Sequence, residues 1–316
     1  MENAFHLGVW GLSLWALLRL MAAPSDRIRA RRAWWLGASG ALLVATRPES
    51  AVCVAVFGFY AAWRCHGRAG KLSWIERASL LFAVGSPGVL LILLHGLANV
   101  AFTGEWAANG AVAKLFINDP FMSRADKWER YQSLLGYIVP RLTHHHFGEP
   151  KPLGLVVPAV ALLPLFSRRL RPIAILLWSQ VVLWILLIGL NNQARWHNER
   201  YAMPAVAWML VLAAYGIGAL LQRGEGAGAR AWPLRAGAAL ALAALYWFVQ
   251  APRMKDQIWF FARASRNILD QHVTAGLLLK EMGVKRVLVG DAGALIYASD
   301  RPGLDLIGLG GYHDFP

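Results

Sequence analysis

Thr46-Arg47-Pro48-Glu49-Ser50 interrupts an apolar run that extends from Trp34 to Trp63 and holds no other charged residue. Ions that deep in a hydrophobic segment are expensive, and they usually face a bundle interior or a wet cavity and mark a functional site. Pro48 also removes a backbone donor, so one straight helix does not pass through this point. Break and charges together predict an intramembrane polar site with two half-helices leading to it. A kinked helix carrying a satisfied Arg47–Glu49 pair is the plainer alternative.

The rest of the chain sets that step in a lipid-facing protein. Of 316 residues, 57% are hydrophobic and 16% charged, and the mean hydropathy is +0.41. Soluble domains average about 25% charged, so the composition is that of an integral membrane protein. Fifteen tryptophans fit this class, because indoles anchor at the headgroup level. The net charge of +14 does not point to nucleic acid. Lys and Arg gather in short segments between apolar runs, and no basic domain stands apart. Cys53 and Cys65 flank the end of one helix in apolar or cytoplasmic surroundings, so neither a disulfide nor a thiolate metal site is expected. The chain enters an apolar run directly after Met1-Glu2-Asn3-Ala4 without a basic leader, so no cleavable signal peptide is expected.

Apolar runs fall at roughly 4–21, 34–63, 78–102, 153–166, 173–190, 201–221 and 236–251. Four short basic segments separate some of them. They carry Arg27, Arg29, Arg31 and Arg32; Arg64, Arg68, Lys71 and Arg77; Arg168, Arg169 and Arg171; and Arg223, Arg230 and Arg235. The positive-inside rule makes all four cytoplasmic. Two adjacent basic segments on one side require an even number of crossings between residues 33 and 64. Half-helices 34–47 and 48–63, each about 21–24 Å long at 1.5 Å per residue, satisfy this as a re-entrant hairpin or a pair of short spans. Pro48 then opens the second half-helix, and Glu49 sits in its first turn, where the helix dipole favours an anion.

The expected architecture is an all-α polytopic membrane protein. Residues 1–251 form a transmembrane helical domain of about six spans plus the hairpin at 34–63, with an external loop at 103–152. Residues 252–316 read as a helix at 257–282, a strand at Arg286–Val289, a Gly290–Gly293 turn and a strand at Leu304–Ile307. This is the start of a small α/β periplasmic domain, expected to be cut short. Gly224–Ala229 reads as a flexible cytoplasmic loop.

Two external segments could carry chemistry. Lys114, in apolar surroundings within the long loop, suits either a phosphate contact or interfacial snorkelling. Asn191–Tyr201 has more hydrogen-bonding side chains than a turn needs. Arg200 sits there at the expected water–lipid boundary, suited to bidentate phosphate contact or to anchoring a helix end. His144, His145 and His146 point apart on a helix, so they do not form a tri-histidine metal site and read as a solvated helix end. Gly290-Asp291-Ala292-Gly293 is not a full dinucleotide fingerprint and reads as a tight turn.

Taken in order, five motifs resemble bacterial GT-C membrane glycosyltransferases of the aminoarabinose-, mannosyl- and arabinofuranosyltransferase-like groups. They are Met1-Glu2-Asn3-Ala4, Thr46-Arg47-Pro48-Glu49, Ala113-Lys114-Leu115, Glu199-Arg200-Tyr201 with Pro204, and Gly290–Ala294 with Tyr297 and Leu304–Leu309. The resemblance implies a GT-C-like helical bundle in a bacterial inner membrane. It implies transfer of a sugar from a polyprenyl-phosphate donor to a lipid, glycan or protein acceptor on the periplasmic face. Arg200 and Lys114 would contact the leaving phosphate. Tyr201, Glu2, Arg47 and Glu49 would line or support the cavity. A divalent cation is possible in such enzymes, but no convincing ligand set is visible. The family's catalytic carboxylate precedes the matched stretch, so this chain is expected to be a fragment of a longer enzyme, inactive alone. The rival readings are a secondary transporter with broken helices and a non-catalytic membrane scaffold.

Overall fold

The computed structural model describes residues 2–67, 70–142, 146–148, 151–195, 199–222, 231–290 and 293–306. The chain is predominantly helical and falls into two compact units. One comprises Met1–Ala98 and Trp128–Trp232, the other Asn99–Lys127 and Pro233–Pro316. The Gly224–Ala229 run, Arg68, His144, His145, Asp291, Ala292 and residues 307–316 lie outside the described set.

The first unit opens with α1 (Glu2–Met21), α2 (Asp26–Thr46), a 3-10 turn (Pro48–Ser50) and α3 (Ala51–Arg64). The break falls where the sequence places it. Arg47 leaves the helix with extended backbone (φ −157°, ψ 116°), and Pro48 occupies the first position of the turn that enters α3. The two helices fold back on each other. A Cβ built at Gly40 would meet Val54 at 3.1 Å, and Arg29 near the start of α2 donates to the His66 carbonyl just past α3 at 2.9 Å.

The first half-helix is longer than expected. The basic residues Arg27, Arg29, Arg31 and Arg32, read as part of a connecting segment, all belong to α2, and only residues 22–25 connect it to α1. The reason is local. Ser25 caps the helix by accepting from the Ile28 amide at 3.4 Å, Asp26 sits in the first turn, and arginine is a good helix former.

After a two-strand antiparallel turn, β1 (His66–Gly67) with β2 (Gly70–Lys71), α4 (Trp74–Thr103) begins at a reciprocal capping box. There the Glu76 carboxylate accepts from the Ser73 amide at 2.8 Å while Ser73 Oγ accepts from the Glu76 amide at 3.3 Å. α4 packs on α2 at Gly37, where the Ala83 carbonyl comes within 2.3 Å of where a Cβ would sit.

The segment expected as an external loop at 103–152 contains regular structure, α5 (Asn109–Lys114) and α6 (Arg124–Pro140). The first unit resumes through α6 into α7 (Lys151–Gly154), α8 (Val156–Leu162), α9 (Arg171–Ile188) and α10 (Met203–Gln222). The helices α8, α9 and α10 pack together, and α3 lies on α9. Trp184, Trp208, Phe57, Leu176, Leu177 and Leu212 are fully buried in this core.

Among the described residues, three helices are long and apolar enough to cross a membrane: Asn3–Met21, Trp74–Thr103 and Arg171–Ile188. The expected spans at 153–166 and 201–221 correspond to the shorter apolar helices Val156–Phe166 and Met203–Ala219. The runs read separately at 236–251 and 257–282 join in α11 (Ala231–Asn267), which continues through Pro252 and a π-helical turn (Ile268–Val273) into α12 (Thr274–Glu281). Beyond it, β3 (Val287–Val289) and β4 (Gly303–Asp305) pair in parallel, Leu288 opposite Leu304, with α13 (Ala294–Ser299) between them.

Candidate functional site

The end of α2 is where polar side chains from four parts of the first unit meet. Arg47 is 3% exposed and its guanidinium lies 5.2 Å from the ring centroid of Tyr201, itself buried. Arg200 lies over the same ring, also at 5.2 Å, and donates from Nη2 to the Tyr201 hydroxyl at 3.3 Å. One phenol therefore gathers two guanidinium groups, each held by cation–π attraction. Arg200 is half-buried, and its Nε has no acceptor among the described residues.

The backbone of this segment is tied down from both sides. Asn3 donates to the Arg200 carbonyl at 3.2 Å and Trp184 donates to the Tyr201 carbonyl at 2.8 Å. On α1, the buried His6 meets Thr46 Oγ1 at 2.9 Å. The Thr46 hydroxyl donates to Leu43 O at 2.6 Å, so its oxygen accepts from His6 Nδ1. His6 also stacks on Trp184 at 5.8 Å, and Trp184 meets Trp208 edge-on at 5.5 Å. Trp10 donates to Gln180 at 2.7 Å on the same side of the core. The helix end at Arg47 is thus held by an aromatic floor and a set of directional bonds.

A second cluster adjoins through residues 199–201. Glu199 is 6% exposed and adopts a left-handed conformation (φ 56°). Its carboxylate accepts from the Tyr137 hydroxyl at 2.7 Å, meets His146 Nε2 at 2.7 Å and forms an ion pair with Arg141. Burial alone would raise its pKa. The hydrogen bonds from His146 and Tyr137 and the charges of His146 and Arg141 outweigh burial and hold it below the usual glutamate range. Tyr137 moves the other way, raised by burial and by its bond to Glu199, with Arg141 and Arg195 opposing. Arg195 and Arg141 lie over the Tyr137 ring at 4.8 and 5.3 Å. Arg130 donates to Asn192 at 3.0 Å and Arg195 to Ser133 at 3.1 Å, lashing α6 to the segment before α10.

The structure brings Arg47, Arg200 and Tyr201 together. Glu49 is half-buried on the 3-10 turn, and among the described residues no ion pair joins it to Arg47. The alternative of a satisfied Arg47–Glu49 pair is not seen among the described residues. The Arg47 guanidinium lies over the Tyr201 ring. Glu2 is the first residue of α1, and its side chain is outside the described set. Lys114 ends α5, half-buried, in the second unit.

His146 is corrected as well. It is bound to Glu199 with its side chain 10% exposed, rather than solvated. Tyr137 and Arg141 are new to the site, and Glu199, named in the sequence only within its motif, gains a role there. Only the polar density of 191–201 and the i,i+4 spacing of Tyr137 and Arg141 on and just past α6 hint at them. No group of three or more His, Cys, Asp or Glu that could hold a metal occurs among the described residues. No family model, no curated protein and no solved structure matches the chain.

Proposed function

We propose that this chain belongs to a membrane-embedded glycosyltransferase that binds the phosphate of a polyprenyl-phosphate sugar through Arg200 and Arg47 on the external face of a bacterial inner membrane. The observation that carries the reading is the convergence of two guanidinium groups on Tyr201 at a broken helix in an apolar helical unit, with Arg200 Nε buried and without an acceptor among the described residues. Arginine at such a place suits a phosphate oxygen, because its planar fork matches the anion bidentately. Exposed apolar side chains along α4, among them Phe82, Leu90 and Leu94, support the placement in lipid.

In the proposed reaction an acceptor hydroxyl oxygen attacks the anomeric carbon as the bond to the phosphate oxygen breaks. The negative charge that grows on the departing lipid phosphate is met by cations already in place, with no reorganisation at the moment of reaction. The acceptor proton needs a carboxylate base. Glu199 is unsuited to that role, since Tyr137, His146 and Arg141 occupy its oxygens and keep its proton affinity low. It acts as the support that sets the Arg200–Tyr201 backbone.

The test is sugar transfer from a polyprenyl-phosphate donor by the full-length protein. Arg200→Ala should lower turnover by about 10²–10³-fold, the usual loss for one stabiliser of developing charge. Arg200→Lys should recover only part, because a point charge replaces the fork. Wild-type turnover in Arg200→Ala would refute the assignment.

A further inference from the structure

Away from this cluster, α1 and α2 leave a groove of about 620 Å³ whose two ends differ in chemistry. Leu12 and Leu42 line one end, and Trp15 and Trp35 the middle. All four are exposed. Toward the other end the lining turns basic, with Arg19 from α1 and Arg31 and Arg32 from α2, and among the described residues no carboxylate lines the groove. The antiparallel packing of the two helices causes this, because it sets the last turn of α1 beside the first turns of α2. Arg32 donates to the Arg19 carbonyl and to the Ala22 carbonyl at 3.0 Å, which quenches the negative end of α1. Arg19 rests over Trp15 at 5.8 Å, and Arg31 is exposed and makes no ion pair among the described residues.

A groove with an apolar length and an uncompensated basic mouth has the polarity of a lipid carrying a negative headgroup. Basic pockets between helices on the cytoplasmic side are where such headgroups bind. We infer that this groove holds one anionic phospholipid, its acyl chain along Trp15, Trp35 and Leu42 and its phosphate on Arg19 and Arg31. The inference shares with the proposed function only the placement in a bilayer. It stands or falls separately from sugar transfer.

The full chain, purified in mild detergent, is titrated with phosphatidylglycerol or phosphatidylcholine of equal chain length, and retained lipid is counted by native mass spectrometry. Wild type should retain one phosphatidylglycerol in preference to phosphatidylcholine. Arg19→Gln with Arg31→Gln should weaken phosphatidylglycerol about 30-fold, the loss of two basic contacts at about 1 kcal/mol each, and leave phosphatidylcholine unchanged. Arg168→Gln with Arg169→Gln, exposed charges outside the groove, should leave the preference intact. A second readout is quenching by phosphatidylglycerol brominated in the acyl chain, which should fall in Trp15→Phe with Trp35→Phe if those indoles line the chain. Equal binding of both lipids, equal loss in the control pair, unchanged quenching, or a dimer that buries the groove without lipid would overturn the inference.

Discussion

Glu199 holds φ at 56° while two hydrogen-bonding partners and a guanidinium occupy its carboxylate. A left-handed conformation costs a non-glycine residue about 1–3 kcal/mol, and the carboxylate's partners offset it. Its pKa sits below the ordinary value, so the sign of the pH effect follows. The stabilisation is complete above the unfolded glutamate pKa of about 4.3 and is lost as pH falls through the lower folded value. Glu199→Gln should therefore be less stable than wild type by about 1.5–3 kcal/mol at pH 5, the range for hydrogen bonds to a charged group. The gap should narrow at pH 3, below the unfolded glutamate pKa, because protonation there favours the unfolded chain. Thermal unfolding at the two pH values measures this, and an equal gap at both would count against the pinned carboxylate. At this scale Arg47, Arg200 and Tyr201 are legible in the sequence, because isolated charge in apolar surroundings and local polar density need no partner to be noticed. The partners of Glu199 are not. Tyr137 and His146 lie 62 and 53 residues away, and no periodicity connects a loop carboxylate to them.

At the scale of elements, close backbone approach decides which glycines matter. A Cβ at Gly37 of α2 would sit 2.3 Å from the Ala83 carbonyl and 3.0 Å from Pro87 of α4, whereas one at Gly85 would meet nothing within 4 Å. The same substitution should then have opposite signs. Gly85→Ala removes backbone entropy from the unfolded chain and should be neutral or stabilising by up to about 1 kcal/mol. Gly37→Ala forces the α2–α4 contact apart and should cost about 1–3 kcal/mol. Melting temperatures of the two variants compare them directly, and a neutral Gly37→Ala would mean that the helices do not meet there. The break between α2 and α3 is readable in advance because Pro48 and its flanking charges act locally. The start of α2 is misjudged because four arginines resemble a loop when read by hydropathy alone, yet the Ser25–Asp26 cap lets the helix run through them. The single α11 is misjudged for the converse reason. Pro252 is tolerated within the helix, so the drop in hydropathy after residue 251 marks no boundary of structure.

For the whole molecule the question is how the hairpin sits in a bilayer, and the geometry of the first unit makes that testable. Arg29 bonds the carbonyl of His66 and pairs with Asp26 at 2.7 Å and Glu76 at 3.5 Å. The start of α2, the end of α3 and the start of α4 are therefore at one level. With 14 residues, α3 spans about 21 Å, less than the hydrocarbon core of about 30 Å, whereas α4 has 30 residues and ample length to cross. If the first unit is embedded in a bilayer, the positive-inside rule would put the basic residues at the shared level, Arg27, Arg29, Arg31 and Arg32 with Arg64 and Lys71, on the cytoplasmic side. A cytoplasm-active reporter fused after Ala23 and another after Lys71 should both give signal, and a periplasm-active reporter should respond after Asp126, beyond α4. Opposite sidedness at Ala23 and Lys71 would mean that α2 and α3 together cross once. Arg47 and Tyr201 would then lie within the bilayer rather than at its external edge, and the phosphate reading of Arg200 would lose its access to a lipid headgroup.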